Sequence, residues 1–387
     1  MSSPDTRQAP AAAPLAPDAA RVLAREHWGI DVRAAAPLPG MHDQNVRIED
    51  ADGRARVLKL SGPGEDRSLL ELQHAVLARL SERLPDRPFP QAYPSLSGES
   101  IVSLPGDDGR PRLARLLDWV PGVPRATVRP KTPELLEETG ALVGAVDRAL
   151  EGFTHPAARR DFDWDLQRGQ EVVERLLPAI QDPDRRALVE RHMAVVRAAA
   201  PAFADLPTGV IHGDANDWNV LVSDVDPERP LAPRRVVSVI DFGDLVESWI
   251  VADLAVAVAY AMLGLRAPLE AARAVTRGYA RERPLSEREA DVLWPLTLLR
   301  LCVSVCMAAH QRPRAPDNAY LSVSEAPAWA LLERLAAEVH PRFATYALRD
   351  ACGYPACPAA ARVTEWLATG ASPGPVLETP AGASGRV

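Results

Sequence analysis

The sequence predicts an α+β protein in two lobes: a small antiparallel β lobe carrying one long helix, followed by a large, mainly helical lobe. Three observations carry that reading. Runs of β-type residues broken by Asp/Gly turns crowd into the first third of the chain, helical periodicity dominates after a short Pro/Gly connector, "VPGVP", and only two short strand-like runs interrupt those helices. With 387 residues, 47% of them hydrophobic, the chain can bury a sizeable core, and its length allows two or three folding units.

Residues 1–19 are Ala- and Pro-rich, with no basic start leading into an apolar stretch, so a disordered leader is expected rather than a secretion signal. A first lobe then spans 20–118. "ARVLAREHWGI" reads as a short amphipathic helix, and "VRIEDADGRARVLKLS" as a hairpin turning on Asp-Ala-Asp-Gly. "SLLELQHAVLARLSERL" places Leu69, Leu70, Gln73, Val76, Leu77 and Leu80 on one helical face. "GESIVSLPGDDGRPRLARLLDWVPG" supplies two further strands. A hinge at 119–124 leads into the helical lobe, 125–350, with helices expected at 133–150, 167–200, 249–265, 268–281, 287–310 and 327–338. Pro133 and Pro268 suit the first helical position, where a missing N–H has no partner to lose. The two strands fall at 220–222 and 236–240. Residues 351–387 turn Pro-, Ala- and Gly-rich, and partial disorder is expected there.

Composition excludes several classes of partner. The net charge is −8 and no Lys/Arg run forms a basic stripe, so neither nucleic acid nor an anionic membrane is expected. The longest apolar run, 249–265, is too short to span a bilayer comfortably and contains Asp253. Four cysteines are too few for a disulfide framework in a chain of this length, which points to a reducing, cytoplasmic setting. Cys302, Cys306 and His310 recur at i, i+4 and i+8, but a straight helix spreads them about 12 Å along its axis. They read as a core face rather than a zinc site.

Three segments carry chemistry. Of the 44 Lys and Arg residues only Lys59 and Lys131 are lysines, and Lys59 sits in the apolar strand "RVLKLS", where an ammonium needs an anion to offset its desolvation. In "VIHGDANDWNVLVSD", Asp214 can accept a proton from a hydroxyl. Asn219, five residues on, offers a neutral oxygen that suits a hard cation such as Mg2+. Taken alone, the stretch could equally be an Asx-turn loop whose side chains bond only their own backbone. In "VVSVIDFGDLVES", Asp241 leaves the end of a buried strand and Gly243 lets the chain turn. Asp244 reads either as part of the same site or as the cap of the next helix.

A strand lysine, an Asp-x4-Asn loop and an Asp-Phe-Gly turn, in that order, match the parts needed for phosphoryl transfer in kinase-like folds. "VIHGDANDWNVLV", "VIDFGD" and "DLAVAVAY" strongly resemble the aminoglycoside phosphotransferase-like (choline kinase-type) family, whose fold is that of protein kinases. "LPGMHDQNVRI", "VLKLS", "LLELQHAVLARL" and "RLLDWVPGVP" are most similar to its hydroxylysine kinase branch, and the resemblance covers residues 20–345. It implies Asp214 as catalytic base, Asn219 and Asp241 as Mg2+ ligands, Lys59 on the nucleotide α/β-phosphates and His212 as a brace of the loop. It also implies Asp118 and Val120 as the connector positions whose backbone pairs with the base of ATP or GTP. The turn 39–45, including Gln44, would stand over the phosphates. Family members commonly pair the strand lysine with a helix Glu, whereas the inward position here is Gln73, with Glu71 turned away.

Protein kinases dock peptides on a long segment after the Asp-Phe-Gly turn. Here helix resumes near Trp249, so a small-molecule hydroxyl is the expected acceptor. Asp214, Asp217, Asp244 and Glu247 would suit an ammonium on that molecule, and "DFDWDL", with Trp164, could line the same cleft. A hydroxylated amino acid or amino alcohol follows as substrate. The tail "LRDACGYPACPAAARVTEWL" is similar to a junction that precedes pyridoxal-phosphate lyase domains, which implies a separate partner enzyme acting on the product. Two other readings stay open: an antibiotic-modifying phosphotransferase, and a pseudokinase scaffold that binds nucleotide without transferring phosphate.

Overall fold

The computed structural model describes residues 15–40, 43–106, 109–229, 232–312 and 325–358. Most of the expected leader and all of the tail beyond 358 lie outside them. The leader ends earlier than its expected boundary, because Pro17 opens helix α1 (Pro17–Trp28), which Gly29 closes with a φ of 66°. Ala20, Ala24 and Trp28, at i, i+4 and i+8, pack on Val46, Ile48, Leu58, Leu60 and Leu116 of the sheet beneath.

That sheet is antiparallel throughout, in the order β1 (Val32–Leu38), β2 (Gln44–Asp50), β3 (Ala55–Leu60), β6 (Arg112–Asp118) and β4 (Ala92–Tyr93), with β5 (Val102–Leu104) also on β6. Strand β1 was not expected: "VRAAAPL" is Ala-rich and holds a proline, and it is tolerated as an edge strand that, among the described residues, pairs with β2 alone. Helix α2 (Arg67–Arg83) starts at Asp66, whose carboxylate accepts the Ser68 N–H. Its Leu72, Val76, Leu77 and Leu80 pack on Leu135 and Leu142 of α3 (Pro133–Leu150), so one apolar cluster joins the lobes.

The end of the expected hinge already belongs to the second lobe. There β7 (Val123–Pro124) pairs with β9 (Val220–Val222), which pairs in turn with β10 (Val236–Val239). A separate pair, β8 (Thr208–Ile211) with β11 (Val246–Trp249), brackets the same loops. Residues 167–200, expected as one helix, form two: α4 (Gly169–Leu176) and α5 (Pro183–Ala199). Pro178 and Pro183 cannot donate to a continuous helical ladder, and Asp182 caps the restart.

The core is built around α6 (Ile250–Met262), buried on nearly every side, together with α7 (Pro268–Glu282) and α8 (Glu287–Gln311). By length and composition α8 could cross a bilayer, but 89% of its most apolar window is buried inside this lobe. Helix α9 (Glu325–Glu338) packs on it, and α10 (Pro341–Ala351) was missed because Leu348 is its one large apolar buried residue, beside Ala344, Ala351 and the buried Arg349. Helices α3 and α7 cross backbone to backbone. A Cβ on Gly140 would lie 1.8 Å from the Val275 carbonyl oxygen, and one on Gly278 1.8 Å from that of Glu137, so only glycine permits the crossing.

Candidate active site

The loop between β8 and β9 carries Asp214, and three side chains hold its carboxylate. Arg300 of α8 donates to Oδ1 at 2.8 Å, Asn216 to Oδ2 at 2.7 Å, and Asn219 to Oδ2 at 2.8 Å. Asn219 spends its other amide hydrogen on the Asp214 carbonyl at 2.9 Å, which leaves Oδ1 as the atom it can offer a cation. Arg300 is itself fixed, 2% exposed, with its guanidinium over the rings of Trp164 at 4.5 Å and Tyr260 at 5.4 Å. Trp164 therefore reaches the site through Arg300.

Burial pushes the Asp214 carboxyl up to about 8; Arg300 pulls it back, and the neighbouring Asp244 and Asp241 charges push it up again. Asp244 rises for the same first reason, burial, with Asp241 next. Gly213 brings the loop onto this segment: at φ 78° a Cβ would lie 2.7 Å from the Asp244 carbonyl oxygen.

His212 ties the loop to the Asp-Phe-Gly turn. Its Nδ1 accepts the Asp214 N–H at 3.2 Å, so Nε2 carries the proton and donates to the Ile240 carbonyl at 3.2 Å, while Phe242 packs edge-on at 4.7 Å. Beneath them Asp253 of α6 accepts the N–H of His212 at 3.2 Å and of Gly213 at 2.8 Å. Asp241 then emerges with φ 65°, the sole non-glycine residue in left-handed backbone among those described. Its carboxylate stays 57% exposed and is held below the ordinary carboxylate range, chiefly by Lys59. Strain of this kind persists only where surrounding contacts impose it.

Lys59 projects from β3 on the face opposite Leu58 and Leu60, which point into the α1 cluster. Its amine lies 3.4 Å from Asp43 and 3.7 Å from Asp241. This corrects the expected orienting partner. Gln73 is buried and Glu71 exposed, as the helix phase requires, yet the carboxylate beside the lysine comes from the turn before β2. Arg115 of β6, directly opposite Lys59 in register, also meets Asp43 at 3.4 Å. Gln44 opens β2 opposite Leu60, and residues 41–42 of that turn lie outside the described set. In the connector, the Asp118 carboxylate accepts from Tyr93 Oη at 2.6 Å and from the Gln91 N–H at 3.2 Å, which fixes the backbone, and Val120 is buried.

Two of the acidic residues expected to meet an ammonium are occupied elsewhere. Glu247 accepts from Arg159 at 2.9 Å, and Asp217 lies 3.5 Å from Lys131, beside the fully buried Arg125. Asp214 and Asp244 remain. The sequence reading missed Arg300, Asp43 and Arg115. Arg300 had a signal: a lone arginine inside the apolar run "LTLLRLCVSV" must find an anion.

A family model described as "Phosphotransferase enzyme family" matches residues 34–288. The hydroxylysine kinase of Bos taurus is 28% identical over 336 residues, 82% of this chain and 88% of its own. That of Xenopus laevis is 30% identical over 339 residues, 83% and 90% of the two chains. Among solved structures, a microcompartment-associated aminopropanol kinase superposes with a TM-score of 0.63 at 21% identity, over 81% of this chain and 96% of that one. The amicoumacin kinase hAmiN, solved in complex with AMP-PNP, Ca2+ and Ami, gives 0.60 at 14% identity, over 80% and 91%. At such identities the two structures establish the shared two-lobed kinase-like fold and nothing finer.

Proposed function

The chain belongs to the phosphotransferase enzyme family, and from that premise we propose that it moves the γ-phosphate of ATP or GTP to the hydroxyl of a small amine, a hydroxylated amino acid or amino alcohol with hydroxylysine first among them. That it is a small-molecule kinase acting on a hydroxyl follows from the family match and the hydroxylysine kinase relatives. The observation that carries the finer reading is the convergence of a restrained base, Asp214, with Asp241 and Lys59 at the lobe junction.

In this reading Asp214 takes the proton of the attacking hydroxyl, and Arg300 with Asn216 and Asn219 holds its carboxylate in one orientation. Lys59, relieved of Asp43, places its ammonium on the α/β-phosphates. Asn219 Oδ1 and the exposed Asp241 carboxylate would hold Mg2+, one as a neutral and the other as a charged oxygen, the donor type this hard cation prefers. When bound, the ion supplies neutralisation of charge on the transferring group. Asp244 is the carboxylate left for the substrate ammonium.

The test is a nucleotide-consumption screen with ATP and with GTP against hydroxylysine, homoserine, choline, ethanolamine and aminoglycosides. Turnover of hydroxylysine or another small hydroxy-amine is expected, and the Asp214→Ala variant should lose about 10²–10⁴-fold in kcat while still binding nucleotide. Turnover of aminoglycosides alone would defeat the acceptor assignment.

A further inference from the structure

Below the catalytic loop, a buried chain of polar side chains connects three helices, and none of its outer members touches the cleft. Asp147 of α3 is 2% exposed. Its Oδ2 accepts from Tyr279 Oη of α7 at 2.6 Å, and Tyr279 Oη lies 3.5 Å from Arg283, which in turn donates to Glu289 of α8 at 2.9 Å. The glycine-permitted crossing of α3 and α7 allows this approach: Gly140, Gly144 and Gly278 remove the Cβ atoms that would hold the two backbones apart.

The other neighbour of Asp147 is Asp253 of α6, whose charge faces it within the same buried layer. Ionised carboxylates only accept, so a bond between two of them requires a proton on one. Both oxygens of Asp253 are engaged as acceptors by the His212 and Gly213 N–H groups. On Asp147, Oδ2 accepts from the tyrosine and Oδ1 accepts nothing. Oδ1, buried and meeting no donor, is therefore the oxygen left to carry a proton and offer it to Asp253.

We propose that Asp147 is a positioning residue: as a neutral carboxylic acid it donates to Asp253, which grips the His212 and Gly213 amides and so sets the height of Asp214 in the cleft. Burial, with the Asp253 charge second, pushes Asp147 well above the ordinary carboxylate range, against pulls from Tyr279 and Arg283. The sign of the pH effect follows. A carboxyl raised in the fold costs stability as pH rises from its unfolded value towards its folded one, and above the latter two buried anions face each other. The inference rests on Asp214 as the base but goes beyond it, to a group that never meets substrate.

Two variants separate this from a packing role. Asp147→Asn keeps a donor for Asp253 and an acceptor for Tyr279 but cannot ionise. It should retain kcat within about threefold at neutral pH, where Asp147→Ala, with no donor, loses about tenfold to a hundredfold with little change in nucleotide KM. The Asn variant should also lose any alkaline fall in kcat, and its melting temperature should gain on wild type as pH rises. Hydrogen exchange of the 212–214 amides, kept slow by Asn and hastened by Ala, reads the same effect without turnover. A wild type inactive on every acceptor would thus sink the base assignment and leave this test standing. An Asn variant as impaired as Ala, or melting curves whose difference does not change with pH, would overturn the proposal.

Discussion

The two lobes hold their reactive charges in opposite ways. In the back lobe Asp214 is gripped at hydrogen-bond distance by a guanidinium that is itself 2% exposed and clamped between aromatic rings. In the front lobe Lys59, 13% exposed, lies 3.4 and 3.7 Å from its two carboxylates, and one of these comes from the far side of the cleft. The difference teaches which group is finished before ligands arrive. The Asp214 carboxylate, proposed above as the base, is preorganised, so little reorganisation would be left for the reaction itself. The lysine is held by looser partners, which in the proposed function a polyphosphate would replace, and Arg115 beside it adds a second cation to the same patch.

Breaking the rigid side should produce the larger effect. Arg300→Met removes the charge that pulls Asp214 down, so its carboxyl rises further. A base works only when deprotonated. The rate kcat/KM should therefore climb with pH up to about 8 in wild type, and the climb should move to higher pH in the variant. Because Asp214 and Asp244 share the cleft, the limb belongs to the pair. Stability should also fall, by about 3 kcal/mol, at the low end for a broken buried pair because Asp214 can protonate and is 19% exposed. A pH–rate profile superimposable on wild type would mean that Arg300 does not act on the base.

The provisional side predicts asymmetry between two partners. Lys59→Ala should raise nucleotide KM and lower kcat/KM by about 10²-fold, the cost of one missing electrostatic contact to a developing charge. Asp43→Ala should weaken nucleotide binding less than about fivefold or tighten it, since a partly exposed ion pair contributes about 1 kcal/mol or less. Isothermal titration with a non-hydrolysable nucleotide decides this. A loss as large as that of Lys59→Ala would make Asp43 a fixed orienter and erase the contrast between the lobes.

How much of this could be read from the chain alone follows the same division. Residues 212–219 and 241–244 were legible because each works within a few positions of its neighbours, so type and spacing carried the site. Helices α3, α7 and α8 were legible from periodicity, the first two also from Pro133 and Pro268 at their starts. Asp43 was not, because its role depends on strand register bringing a turn residue beside a lysine sixteen positions later. Glu247 and Asp217 were misjudged for the reverse reason. Local sequence shows a carboxylate but not the distant Arg159 or Lys131 that matches it. Asp253 and Arg300 lie between these cases: a lone charge in an apolar helix announces a buried partner without naming it.

The smallest expected effect tests whether rigidity in the back lobe is local to the site. Helix α8 delivers Arg300 from its middle, while its first turn is closed by a capping box in which Ser286 Oγ accepts the Glu289 N–H and Glu289 accepts the Ser286 N–H. Ser286→Ala should cost about 1 kcal/mol of stability, seen as a lower denaturant midpoint. Arg300 lies fourteen residues further along and is fixed independently by Trp164, Tyr260 and Asp214. The pH limb of kcat/KM should therefore stay where it is in wild type. A limb that moved with the cap would mean that the placement of Arg300 depends on the whole length of α8, and the base would then be as provisional as the lysine facing it.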